Sequence, residues 1–69
     1  MEKIVFVRYR SFRRDCPPVV DILYKSGRLV TVGEEELPKT ARAFVESAAA
    51  KYEYDALFGH TFLYTREGN

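Results

Sequence analysis

The chain opens with an alternating segment, KIVFVRYRSF, in which Val5, Val7 and Tyr9 point one way and Ile4, Phe6, Arg8 and Arg10 the other. A period of two is the signature of a strand. The first set is expected to face a core. The second set begins apolar and turns basic after Phe6, so the far end of this strand is solvated or touches a partner. Pro17 and Pro18 offer no N–H to a ladder, and each pushes its predecessor out of the helical region. RRDCPP therefore reads as a connection, and the strand stops near Phe12.

The next pattern is a pair of apolar, β-branched runs around a Ser-Gly step, VVDILYKSGRLVTVG, the composition of a tight hairpin. With Ser26-Gly27 as a two-residue loop, Tyr24 faces Leu29 and Leu23 faces Val30, leaving apolar pairs on both sides of the ribbon. The second side then needs cover, from another chain or from the basic loop. From EEELPKTARAFVESAAAKYEY onward the period changes. Leu37, Ala41, Phe44, Val45, Ala48 and Tyr52 fall on one helical stripe. Pro38 suits the first turn, and Glu34, Glu35 and Glu36 stand by the positive end of the helix dipole. Gly59 marks a plausible end. The last pattern, HTFLYTRE, is again strand-like, with Phe62 and Tyr64 on one side and Leu63 on the other.

These patterns predict an α+β domain spanning 1–69, a small antiparallel sheet in the order β-β-β-α-β with one amphipathic helix packed on one face. A right-handed return would set the last strand parallel to a neighbour, the first strand being preferred.

Composition narrows this further. Sixty-nine residues with 46% hydrophobic content support a single core of only a few kcal/mol, roughly 3–5. Five Tyr and five Phe add large buried surfaces. Cys16 has no cysteine partner within the chain, so neither a disulfide framework nor a paired-cysteine zinc site is expected. A reducing cytoplasm is the expected setting, with no membrane contact, since no run approaches a spanning length. The net charge is +1, but residues 1–33 carry seven Lys/Arg against three Asp/Glu, and residues 34–69 four against seven. The basic first half suits an acidic or nucleic-acid partner, or head-to-tail docking of two copies.

Candidate chemistry is sparse. His60, with Thr61, Tyr64 and Arg66 nearby in sequence, offers a ribonuclease-like centre in which His60 is the general base and Arg66 steadies a phosphate. Without a paired carboxylate, a nucleophile elbow or metal spacing, a loop histidine is the plainer reading, and the chain is not expected to be an enzyme. Cys16 beside Arg13 and Arg14 resembles an activated thiolate or a Cys-Pro haem ligand only in a dipeptide, so no cofactor is expected. Arg8, Arg10, Arg13 and Arg14, interleaved with Tyr9 and Phe12, suit phosphates and stacked bases. The near-zero net charge and the lack of a recognition signature favour a protein-contacting edge instead.

The expectation is a small protein-binding module acting by occupying a surface of a larger complex. The analogy, one of size and style alone, is to phage-encoded inhibitors of host machinery, the anti-CRISPR-like kind. Its contact residues are expected to be Arg8, Arg10, Phe12, Arg13, Arg14 and Tyr54. Tyr54 is included because it falls off the helical stripe and because Tyr and Arg are enriched at interface hot spots. Nucleic-acid binding through the same basic segment is the alternative. One helix covers only one face of a sheet, so a homodimer that covers the other face is also expected.

Overall fold

The computed structural model describes residues 3–11, 17–56 and 59–66, with the side chains of residues 54–56 outside the description. The elements run β1 (Ile4–Ser11), β2 (Val19–Tyr24), β3 (Leu29–Gly33), a 3-10 turn (Glu34–Glu36), α1 (Lys39–Glu46), β4 (Ala50–Ala56) and β5 (Gly59–Thr65). The strands form one antiparallel sheet in the order β3-β2-β1-β5-β4, so the α+β class with one helix on a sheet face holds. From β3 at one edge the chain passes through α1, which packs against β1, to β4 at the opposite edge. β5 then turns back between β4 and β1.

The structure departs from the sequence pattern in three places. The first is the length of the helix. The stripe continues to Tyr52, yet α1 ends at Glu46, where the Ser47 backbone N–H and its hydroxyl both donate to the Ala43 carbonyl, at 3.1 and 2.8 Å. Beyond it, AKYEYDA pairs with β5 from Ala50↔Thr65 to Ala56↔Gly59. Tertiary pairing overrides the helix propensity of the alanines. The sheet thus gains a strand, and the last strand neighbours β1 as expected but runs antiparallel to it rather than parallel.

The second departure is the hairpin register. Leu23 pairs with Leu29 and Ile22 with Val30, one residue away from the two-residue-loop register. The loop is Lys25-Ser26-Gly27, closed by Gly27 N–H donating to Tyr24 O and Tyr24 N–H donating to Arg28 O, both at 2.9 Å. Gly27 has φ +95°, a conformation that a three-residue hairpin loop requires and that side chains resist. The third is an irregularity between Ile4 and Phe6. It turns Ile4 toward the core and leaves Val5 44% exposed, reversing the alternation read for the first residues of β1.

One sheet face carries Val7, Val20 and Ile22, packed under Leu37, Ala41 and Phe44 from the helical segment, with Ile4, Tyr9, Tyr24, Val32, Val45 and Tyr64 around them. Cross-strand partners share a face. The opposite, helix-free face therefore presents Phe6, Arg8, Arg10, Asp21, Leu23, Leu29, Thr31, Tyr52, Thr61, Leu63 and Thr65.

Candidate binding face

At the centre of the helix-free face, β1 and β2 set Arg8 directly opposite Asp21, and β3 sets Thr31 on the other side of Asp21. Arg10 reaches the same carboxylate from one pair further along. Arg8 grips Oδ2 from two nitrogens, with Nε donating at 2.9 Å and Nη2 lying at 2.8 Å. Arg10 spans both oxygens, Nε lying 2.6 Å from Oδ2 and Nη2 donating to Oδ1 at 3.0 Å. The Thr31 hydroxyl donates to Oδ1 at 2.7 Å.

Asp21 is only 1% exposed although no helix covers it; its roof is made of guanidiniums. Burial alone would raise its pKa, but the bonds from Thr31, Arg8 and Arg10 more than offset this and hold it below the usual carboxylate value. A carboxylate so satisfied and so acidic is a poor base. The cluster is therefore suited to holding the face in shape and not to moving protons.

Around this centre lie apolar groups. The Arg8 guanidinium stands 5.7 Å from the Phe6 ring centroid, while Leu29 and Tyr52 are 53% and 41% exposed. Leu23 and Leu63 are half-buried beside them. Of the residues expected to make contact, Arg8 and Arg10 are thus brought together, but facing a carboxylate as well as solvent. Phe12, Arg13 and Arg14 lie outside the described residues, as does Cys16. Tyr54 belongs to β4, opposite Thr61, and not to the margin of a helix; its side chain lies outside the description.

The opposite face holds a second polar group, near the β4–β5 turn. His60 Nε2 lies 2.8 Å from Glu53 Oε1, and its ring packs against Phe62 at 4.5 Å. Lys51 Nζ sits over Phe62 and Tyr64 at 4.7 and 5.8 Å. A carboxylate does accompany the histidine, contrary to the sequence reading, because β4 pairs with β5 where a helix was expected. The His60–Arg66 partnership is not formed. The two stand at opposite ends of β5, about 20 Å apart at strand rise, and Arg66 lies over the Phe44 ring at 5.1 Å.

Neighbouring Tyr9 and Tyr64 meet edge to face at 5.7 Å. Burial, then the charges of Glu34 and Tyr64, raise the Tyr9 pKa above 10.0 against the pull of Arg42. Among the described residues no group of three or more His, Cys, Asp or Glu is placed to hold a metal ion, and no helix is long and apolar enough to cross a membrane.

Asp21, Thr31, Glu53 and Lys51 escape a motif search. Asp21 alone leaves a signal, an acidic residue in the middle of VVDILY, where a buried charge must have partners. Comparison with known proteins finds no matching family model, no matching curated protein and no matching solved structure.

Proposed function

We propose that the chain is a non-enzymatic protein-binding module, working in the cytoplasm as a surface-occupying inhibitor does, with the helix-free sheet face as its contact. One observation carries this reading. The arginines at the centre of that face are tied to one shared buried carboxylate, which cancels half of their charge and fixes their positions, while Phe6, Leu23, Leu29, Tyr52 and Leu63 around them are apolar. Nucleic-acid binding draws its affinity from uncompensated cations on phosphates. Protein interfaces instead combine apolar and aromatic contacts with arginines held in shape.

The test is capture from host lysate by wild type and by Leu29→Glu, over a salt titration. A protein retained by wild type at high salt and lost with Leu29→Glu supports the reading. Recovery of nucleic acid alone, released as salt rises, refutes it.

A further inference from the structure

We propose that the chain forms a two-fold homodimer by pairing β4 antiparallel with β4 of a second copy, in the register that sets Tyr52 opposite Tyr52 and Lys51 opposite Glu53. This stands independently of the protein-binding reading. β4 closes the sheet at one edge, paired with β5 on its inner side, and among the described residues no strand flanks its outer side, so its outward-pointing backbone donors and acceptors are those of a sheet edge. Its charged residues select one register. Residues facing each other across an antiparallel pair share a sheet face, so the possible two-fold registers centre on single residues.

Centring on Lys51 opposes Lys51 to Lys51, and centring on Glu53 opposes Glu53 to Glu53 at the axis, beside two Lys51–Asp55 pairs further out. Centring on Tyr54 places Glu53 against Asp55. Centring on Tyr52 gives two Lys51–Glu53 pairs, places Asp55 opposite Ala49 and opposes no like charges. Lys51, Tyr52 and Glu53 are all exposed in the single chain; Glu53 also meets His60, and Lys51 the Phe62 ring, within the chain, so cross-strand pairing competes with these contacts. The other edge, β3, has the sequence LVTVG, with no charge to fix a register.

A face-to-face dimer through the helix-free face is disfavoured. A two-fold there sets a cluster of two guanidiniums and one carboxylate against its own copy. Edge pairing leaves that face open and doubles it, the two Tyr52 rings continuing the apolar surface across the junction. A single paired strand is a small interface, so association in the micromolar range is expected.

Sedimentation equilibrium of the full chain tests the proposal. Wild type should dimerise. Lys51→Glu and Glu53→Lys should each dimerise about tenfold more weakly or worse, since each replaces two opposite-charge pairs by like ones. An equimolar mixture of the two variants should recover the wild-type affinity. The strand of one variant is then acidic at both positions and that of the other basic at both, so the two cross-strand pairs are again of opposite charge.

A Tyr52→Cys variant in a Cys16→Ser background should oxidise to a disulfide dimer, directly opposed strand residues lying within disulfide reach. A wild type monomeric at about 100 μM, well above the micromolar association expected of the paired edge, overturns the proposal. So does a dimer indifferent to both single variants, or failure of the Tyr52→Cys chain to cross-link.

Discussion

Val20, Asp21 and Ile22 are consecutive in β2 and equally inaccessible, at 0, 1 and 0% exposure, yet they are buried by opposite means. Val20 and Ile22 lie beneath α1, where apolar volume excludes water. Asp21 points the other way and is enclosed by Arg8, Arg10 and Thr31. The first kind of burial contributes stability directly, about 1.5–3 kcal/mol per large side chain. The second roughly breaks even, because attraction and hydrogen bonding must first offset the desolvation of a carboxylate. It does, however, fix the positions of two arginines on the face that no helix covers. The covered face stabilises the fold; the open one shapes a surface.

Breaking the covered face should have the largest effect. Phe44 is 2% exposed and closes the core over Val7, Val20 and Ile22. Phe44→Ala is expected to cost about 3–5 kcal/mol, comparable to the whole stability of a domain this small. Circular dichroism with urea titration should find the variant largely unfolded without denaturant. A loss below about 1 kcal/mol would mean that the helix contributes little to the core.

On the open face the corresponding change is Asp21→Asn, with an expected cost of about 2–3 kcal/mol. Breaking a fully buried pair costs about 3–5, but the Arg8 and Arg10 side chains are 37% and 35% exposed and can turn to water. The pH dependence separates this mechanism from lost packing. The Asp21 pKa is depressed in the folded chain from its ordinary 3.8, so the unfolded chain takes up the proton first as pH falls. Its stabilising contribution is complete above about pH 5 and drains away below, through the unfolded value and toward the depressed native one. Wild type should therefore lose more stability than Asp21→Asn between about pH 5 and pH 2.5. Parallel losses would assign the Asp21 effect to shape alone.

The same contrast explains what could be read from the sequence. Apolar burial leaves a period: Val7 and Tyr9 in β1, and Leu37, Ala41 and Phe44 in the helical segment, are recognisable from spacing. The charged cluster leaves none, because Arg8 meets Asp21 only through a pairing that spans thirteen positions. β4 was hidden for another reason. Ala48 and Tyr52 continue the helical stripe, while Lys51, Glu53 and Asp55 alternate with Tyr52 and Tyr54 at a period of two; both patterns coexist, and pairing with β5 selects the second. The hairpin register turned on whether Lys25 belongs to the strand or to the loop, and Gly27 at positive φ assigns it to the loop.

The smallest effect on stability, and the sharpest division between the faces, belongs to Leu29→Ser. Leu29 and Ile22 both lie in the β2–β3 ribbon, but Ile22 is 0% exposed on the covered face and Leu29 is 53% exposed on the open one, opposite Leu23. Truncating Ile22 to Ala should cost about 2–5 kcal/mol, the transfer term plus a cavity. Leu29→Ser removes side-chain area already half in water and one cross-strand apolar contact, so the expected change is within about 0.5 kcal/mol. Urea midpoints of the two variants at equal m-value measure the difference. A Leu29→Ser cost approaching that of Ile22→Ala would mean that Leu29 is covered in solution by more than the single chain supplies. The side chain would then belong to a closed interface, and the open face would not be available to a partner.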